Sequence, residues 1–179
     1  MAGAVAAGRD EIALRRCVAG DADGLSLIGA ATFLEAFAGV LEGEDILKHC
    51  RVQHAPERYA GWLAQDAYRL CLAELKGAPV GFAVLSPPDL PVALTTDDIE
   101  LKRIYLLHRF QGSGLGRRLM DWSIAQARAM GKKRLLLGVK ADNTTALAFY
   151  ERVGFERIGE RKFLVGSMWC DDYLLARPL

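Results

Sequence analysis

The chain has 179 residues, with 23 Lys and Arg against 22 Asp and Glu, and 51% of its residues are hydrophobic. This length fits one domain that can bury a hydrophobic core, and the composition excludes an intrinsically disordered polypeptide. The net charge of +1 favours neither a nucleic-acid-binding surface nor an electrostatic membrane anchor.

The hydrophobic periodicity predicts twelve elements of secondary structure. Residues 1–8 are rich in Ala and Gly, and we expect a flexible N-terminus before a single domain over residues 9–179. In chain order the predicted elements are a strand (12–18), three helices (one after an Asp21 cap, 44–53 and 56–65), three strands (68–75, 80–85 and 99–107), a helix (114–130), a strand (134–139), a helix (143–153) and two strands (158–164 and 169–175). This order predicts an α/β protein with a mixed sheet and helices on its faces.

The cysteines and the N-terminal segment bear on location. The four cysteines are scattered, and His49, Cys50 and His54 lack the spacing of a metal motif, so we predict no metal site. Scattered cysteines are typical of a reducing compartment. Residues 1–10 do not resemble a signal peptide, and no apolar run reaches about 18 residues. We therefore expect a soluble cytoplasmic protein that binds neither membrane nor nucleic acid.

A glycine-rich segment, QGSGLGR, lies between the strand 99–107 and the helix 114–130. Its glycines leave backbone N–H groups uncovered, and the start of the helix adds free N–H groups and the positive end of its dipole. The spacing of Gly112, Gly114 and Gly116 does not match a dinucleotide loop, and Arg117 replaces the Lys of a P-loop. The segment predicts a phosphate or pyrophosphate site of another kind; a flexible, tightly packed turn is the alternative.

The Q-x-x-G-x-G motif follows a strand that ends in Tyr105 and Leu106. With the segments ELKRIYLLHRFQGSGLGRRLM and LLLGVKADNTTALAFYERVGF, the chain resembles the GCN5-related N-acetyltransferase (GNAT) superfamily over residues 12–179. The resemblance implies a three-layer α/β fold, with a mixed, mostly antiparallel central sheet of about seven strands and helices on both faces. It also implies acetyl-CoA as cosubstrate, no metal, and direct acetyl transfer to a primary amine.

The same resemblance assigns a cofactor-binding role to nine residues. The backbone amides of six loop residues would hold the pyrophosphate: Gly112, Ser113, Gly114, Leu115, Gly116 and Arg117. The backbone of Tyr105 and Leu106 would run beside the pantetheine arm like an added strand, and one of the two N–H groups would polarise the thioester carbonyl. Asn143 would contact the cofactor from the next helix.

Two residues are the candidates for proton transfer. Tyr150 lies two helical turns after Asn143 and shares its face. A phenol, whose ordinary pKa is about 10, can protonate the CoA thiolate, which is the role that the resemblance implies for Tyr150; a core tyrosine is the alternative. Glu100, expected on the same side of its strand as Leu106, is the candidate base for the amine proton. Its alternative is a salt bridge with Lys102, and His108 is a second candidate base.

The acceptor amine is the open part of the prediction. The segments TFLEAF, ELKRIY and DYLL resemble the spermidine/spermine (diamine) acetyltransferase branch, which favours a small polyamine. Lys140 departs from that branch, which often has an aromatic residue there. The candidate acceptor contacts are two phenylalanines and six acids: Phe33, Phe37, Glu35, Glu42, Glu44, Asp45, Asp97 and Asp98.

Several alternatives to a polyamine acetyltransferase stay open. Within the enzyme class, the acceptor could instead be an amino acid, a protein amine or an antibiotic. The alternative from another class is a non-catalytic acyl-CoA-binding regulatory module. A homodimer through the terminal strands is compatible with the sequence.

Overall fold

The computed structural model describes residues 11–165 and 168–179, so the predicted flexible segment 1–8 lies outside the described residues. The strands are β1 (Ile12–Arg16), β2 (Arg69–Leu75), β3 (Ala78–Ser86), β4 (Asp98–Leu106), β5 (Arg134–Lys140), β6 (Glu156–Val165) and β7 (Met168–Pro178). The helices are α1 (Ala22–Phe37), α2 (Gly43–Gln53), α3 (Pro56–Leu63), α4 (Leu115–Ala129) and α5 (Thr144–Arg152). All twelve predicted elements are present, with ends displaced by a few residues.

The seven strands form one sheet in the order β1-β2-β3-β4-β5-β7-β6. Every neighbouring pair is antiparallel except β4 and β5, which are parallel. The predicted mixed, mostly antiparallel sheet with helices on both faces is therefore confirmed. No helix within the described ranges is long and apolar enough to cross a bilayer.

Each face of the sheet carries its own hydrophobic core. On the α4/α5 face, Leu119 and Tyr150 pack in one cluster with Ile99 and Leu135 of the sheet. On the α1/α3 face, a second cluster joins buried residues of α1 and α3 to β2 and β3; it includes Leu25, Ile28, Tyr59, Trp62, Leu72 and Phe82. Burial of these apolar side chains fixes the helices on both faces and so positions the segments between them.

The parallel strands β4 and β5 separate soon after they begin. Their pairing runs only from Asp98 opposite Arg134 to Glu100 opposite Leu136. Beyond that point, residues 101–106 of β4 and 137–140 of β5 do not pair with each other. We call this opening the cleft. Its edges present backbone groups that a strand-like ligand can pair with.

A β-bulge in β4 changes which side chains face the cleft. The β3–β4 register passes from Leu85 opposite Leu101 to Val84 opposite Arg103, so Lys102 is an extra residue. The simple alternation predicted for residues 99–107 is therefore wrong after Leu101. Tyr105 contacts Phe82 on the α1/α3 face, with ring centroids 5.8 Å apart, and Leu106 packs in the core of the α4/α5 face. Glu100 and Tyr105 therefore both face α1 and α3, whereas Leu106 faces α4 and α5. The prediction that Leu106 lies on the same side of the strand as Glu100 is wrong.

Candidate active site

The glycine-rich loop joins the end of β4 to the start of α4. Gly112 and Gly114 have φ angles of 71° and 88°, in the left-handed region that favours glycine. A Cβ atom at either position would meet nothing within 4 Å, so the backbone conformation, not a lack of space, requires glycine. The Ser113 hydroxyl donates a 2.6 Å hydrogen bond to the Phe110 carbonyl and closes the turn.

Most backbone amides of this loop have no acceptor. The first regular bond of α4 runs from the Arg118 amide to the Gly114 carbonyl (3.2 Å), and the Leu115 amide lies 3.4 Å from the Ser113 hydroxyl. Five amides find no acceptor among the described residues: those of Gly112, Ser113, Gly114, Gly116 and Arg117. Consecutive free N–H groups at a helix N-terminus form an anion site, so five of the six predicted pyrophosphate residues come together here.

The arginine side chains after the loop have local partners. The Arg117 Nε donates to the Asp121 carboxylate (2.8 Å) on the exposed surface of α4. The Arg118 Nη2 donates to the Ile12 carbonyl (2.9 Å). The anion site therefore consists mainly of backbone amides, and Arg117 contributes through its backbone N–H group, not through its guanidinium.

Asn143 and Tyr150 both belong to the α5 region, as the sequence predicts. The Asn143 Oδ1 accepts from the Ala146 amide (3.1 Å), so this exposed side chain caps α5. Tyr150 is buried and makes edge contacts with Phe149 and Phe155 at centroid distances of 5.4 and 5.6 Å. Its hydroxyl has no hydrogen-bond partner within the described ranges, yet it is not fully enclosed. It is therefore available to a ligand.

The protonation state of Tyr150 suits a proton donor. Burial raises the pKa of the Tyr150 phenol above its ordinary value, and the nearby phenol of Tyr105 raises it further. The hydroxyl consequently keeps its proton at neutral pH.

Glu100 occupies the closed end of the cleft, at the last β4–β5 pair. It is buried, and its Oε2 accepts a 2.9 Å hydrogen bond from the Asp89 amide. The Lys102 ammonium lies 3.6 Å from the same oxygen, so the predicted alternative of a salt bridge is also present. Oε1 has no partner among the described residues and stays free to accept a proton or a water.

The backbone at the end of β4 distinguishes the two predicted oxyanion donors. The Leu107 amide donates to Val80 of β3 (3.0 Å). Because successive amides along a strand point to opposite edges, the Tyr105 amide also points to β3. The Leu106 amide therefore points into the cleft.

An aromatic cluster covers the α1/α3 side of the cleft. Phe33 stacks on His49 at a centroid distance of 3.9 Å and lies 4.5 Å from Phe37. The His54 Nδ1 lies 2.9 Å from the Tyr59 hydroxyl. The predicted pair of phenylalanines is thus part of a larger wall that includes two histidines and a tyrosine.

Arg103, which is not among the predicted site residues, lies at the base of this wall. Its Nη1 donates to the Tyr59 hydroxyl (2.6 Å) and its Nη2 to the Gln53 carbonyl (2.8 Å). Its guanidinium lies 5.3 Å from the Tyr59 ring centroid and 4.9 Å from that of Trp62. Only the bulge brings Arg103 to this face, and no signal in the strand's alternation indicated it.

The two histidines of the wall are neutral at physiological pH. Burial, with a smaller effect of the positive charges of Arg103 and Arg58, lowers the pKa of His49 to about 4 and that of His54 to about 3. No group of three or more metal-ligating side chains occurs in residues 11–165 and 168–179.

The opposite side of the cleft is formed by β5, β6 and β7. Arg161 pairs with Asp172 at 3.2 Å above Gly138, where a Cβ atom would lie 3.0 Å from the Arg161 Nη2. Lys140 donates to Asp142 at 2.9 Å. Glycine at position 138 therefore leaves room for the Arg161–Asp172 pair.

Tyr105 lies between the two sides. Loss of solvent around its hydroxyl raises the pKa of Tyr105, although 47% of its surface stays exposed. Arg103 from one side and Arg161 from the other oppose the shift, while Asp172 adds to it. The hydroxyl of Tyr105 thus lies within electrostatic range of groups from both sides.

Three of the acids predicted to bind the acceptor have other partners. Asp98 is buried and bonds to Arg134 (2.7 Å), and Asp97 pairs with Lys133 (2.9 Å), both at the start of β4 and away from the open cleft. Glu35 accepts from the His108 amide (2.8 Å). The placement of Asp97 and Asp98 was wrong because proximity in sequence to β4 put them at its closed end.

A family model described as "Acetyltransferase (GNAT) family" matches residues 37–155. An uncharacterized N-acetyltransferase of Mycobacterium tuberculosis (strain ATCC 25618 / H37Rv) is 32% identical over 159 residues, which are 89% of this chain and 98% of the relative. An uncharacterized N-acetyltransferase of Lactobacillus delbrueckii subsp. lactis is 28% identical over 153 residues, or 85% of this chain and 88% of the relative.

A solved structure has the same fold. The PaiA N-acetyltransferase from Thermoplasma acidophilum, crystallised in complex with coenzyme A, superposes with a TM-score of 0.76. The similarity covers 94% of this chain and 99% of the other, at 19% sequence identity. At this identity the likeness establishes the fold.

Proposed function

Since the chain belongs to the acetyltransferase (GNAT) family, we propose that it transfers an acetyl group from acetyl-CoA directly to a primary amine held on the α1/α3 side of the cleft. The observation that carries this proposal is the loop of five free amides at the open end of the cleft. A pyrophosphate bound to that loop would direct the pantetheine arm along the unpaired edge of β4.

The cofactor residues follow from this arrangement. The amides of Gly112, Ser113, Gly114, Gly116 and Arg117 hold the pyrophosphate, and Leu115 contributes a weaker contact. The Tyr105–Leu106 backbone flanks the pantetheine arm. The amide group of Asn143, whose Oδ1 caps α5, still has N–H donors for the cofactor.

The reaction requires a base, a hydrogen-bond donor to the thioester oxygen and a general acid. The amine must lose a proton before it attacks, and Glu100 accepts that proton through a water at Oε1. The Leu106 amide donates to the thioester oxygen as negative charge develops there. Tyr150 donates its phenolic proton to the leaving thiolate and is reprotonated, through solvent, by the proton that the new amide nitrogen loses. No covalent enzyme intermediate is required.

The nature of the acceptor stays a prediction. A small polyamine was the first expectation, but the charges around the cleft do not favour it. Asp97 and Asp98 are paired elsewhere. Across the cleft, Arg161 and Lys140 are each paired with a carboxylate, whereas Arg103 on the α1/α3 side has no carboxylate partner among the described residues. An amino acid or a protein amine is therefore the stronger candidate.

A homodimer also stays a prediction. The β6–β7 hairpin presents Leu164 and Trp169 at 48% and 65% exposure, and β6 is an edge strand. A second copy that covers this hairpin would remove apolar surface from water.

The test is thiol release from acetyl-CoA in the presence of polyamines, amino acids, peptides and aminated drugs, with a blank for the protein's four cysteines. Amine-dependent release supports the proposal. If acetyl-CoA raises the melting temperature and no amine gives release, the acceptor is instead a protein outside the panel, or the chain is a non-catalytic acyl-CoA-binding module.

A further inference from the structure

The acceptor side of the cleft contains an uncompensated positive charge. Arg161 and Lys140 each have a carboxylate partner, Asp172 and Asp142. Arg103 has no carboxylate within ion-pair distance among the described residues, and all of its hydrogen-bond partners are uncharged. A half-buried guanidinium without a counterion is costly unless a ligand supplies the negative charge.

The surroundings of Arg103 hold it ready for such a ligand. The Tyr59 hydroxyl and the Gln53 carbonyl each accept from one of its N–H groups, Nη1 also lies 3.4 Å from the His54 Nδ1, and the rings of Tyr59 and Trp62 fix its plane. The Nε–H and one N–H of Nη2 have no acceptor in the described ranges. An immobilised guanidinium with free donors is the arrangement that proteins use for carboxylates, since little entropy is lost on binding.

The position of Arg103 connects this charge to the reaction. On the same face as Tyr105 and two residues before it, Arg103 lies about 7 Å along the strand from Tyr105 and about 10 Å from Leu106. A compact acceptor can therefore contact the guanidinium while its amine reaches the Leu106 amide. Because His49 and His54 are neutral, the positive charges of this wall are Arg103 and Arg58, and of these two Arg103 is the one that acts on Tyr105.

We propose that the acceptor of this acetyltransferase carries a carboxylate close to its amine, and that Arg103 binds that carboxylate. The inference rests on the proposed function and adds the acceptor's chemical class to it. An amino acid, or a short peptide whose carboxylate folds near its amine, satisfies the requirement, whereas a polyamine does not.

The experiment compares acceptors that differ only in this charge. Thiol release is measured for L-amino acids against their amides, and for ω-amino acids against diamines of the same length. We expect kcat/KM to be roughly tenfold higher for the carboxylates, the size of one charge-assisted hydrogen bond partly screened by solvent. Calorimetric binding of acetyl-CoA, measured separately, tests the proposed function itself.

Variants assign the preference to Arg103. The Arg103→Gln substitution should bring the carboxylate-to-amide ratio close to one and leave the Kd for acetyl-CoA unchanged. Arg103→Lys should keep part of the preference, because the charge stays while the forked geometry is lost. The ratio is measured within one variant, so a smaller folded fraction does not alter it.

Arg58→Gln is the matched control. Arg58 also lies over the Trp62 ring (5.9 Å) and also bonds to a backbone carbonyl, that of Val52, yet its charge does not act on Tyr105. This variant should keep the wild-type ratio. Equal rates for both members of every pair, a preference for diamines, or binding of acetyl-CoA with no reaction of any carboxylated amine would overturn the inference.

Discussion

At the open end of the cleft the proposed cofactor-binding groups are backbone amides of residues 112–117, whereas the two walls of the cleft are built of side chains from α1, α2, β4, β6 and β7. The first set is contiguous in sequence, and its geometry depends on two glycines with positive φ. The second set is assembled by tertiary packing. Binding of the cofactor should therefore be sensitive to backbone changes, and selection of the acceptor to side-chain charge.

The largest effect should come from Gly114→Asp. At a φ of 88° any side chain strains the loop, and a carboxylate there repels the pyrophosphate. Loss of one or two charge-assisted hydrogen bonds corresponds to a roughly hundredfold or larger rise in the Kd for acetyl-CoA. Isothermal titration calorimetry measures it.

Gly131→Asp is the control for strain. Gly131 follows α4 with a φ of 73° and open space around it, so it has the same backbone cost at the other end of the helix. It should lower the melting temperature without altering the Kd. If both variants bind acetyl-CoA alike, the loop does not hold the pyrophosphate.

Tyr150→Phe should separate chemistry from binding. Removal of the general acid should lower kcat by about a hundredfold, while the Kd for acetyl-CoA stays within about twofold. Steady-state kinetics with the best acceptor measures it. Tyr68→Phe removes a hydroxyl from a tyrosine that stacks on Trp62 and should leave kcat unchanged. Full activity of Tyr150→Phe would make Tyr150 a core residue only.

Glu100→Gln should reduce the rate by about tenfold at neutral pH, because the amide still accepts from Asp89 but cannot take a proton. The loss should shrink as pH approaches the pKa of the acceptor amine, since more of the amine is then already neutral. A pH–rate profile of kcat/KM shows this. A constant ratio of the two rates at all pH values would indicate a structural role beside Lys102.

The features that the sequence predicts are those that depend on local patterns, and the features that it does not predict depend on strand pairing. The order of strands and helices, the glycine loop and the α5 cap depend on local patterns, and the structure has each of them. The choice between the Tyr105 and Leu106 amides depends on the β3 pairing, and the faces of residues 103–106 depend on one bulge. An extra residue in a strand leaves no mark in composition, so alternation assigned these side chains to the wrong faces.

The acids show the same limit. Sequence distance placed Asp97 and Asp98 near the acceptor, and only strand pairing reveals that they join β4 to the start of β5 through Lys133 and Arg134. Arg103 was missed because a lone arginine in a strand usually indicates a solvated position. Its role depends on rings that lie more than 40 residues away in sequence.

The smallest expected effect is on stability, and it differs between Asp97 and Asp98, which lie at the start of β4. Asp98→Asn should lower the free energy of unfolding by about 1 to 2 kcal/mol, because a buried carboxylate loses its pairing with a partly exposed Arg134. Asp97→Asn removes an exposed pair and should cost less than about 0.5 kcal/mol. Urea titration of both variants measures the difference.

The stability difference between Asp98→Asn and the wild type should depend on pH. The hydrogen bonds from Arg134 lower the pKa of Asp98 below the 3.8 of an unperturbed carboxyl. The pair therefore stabilises the fold fully above about pH 4, and its contribution is lost as pH falls through the folded-state pKa. The gap between Asp98→Asn and the wild type should close in that acid range, whereas acceptor preference should not change in either variant. A changed acceptor preference in either variant would indicate that Asp97 or Asp98 contacts the acceptor.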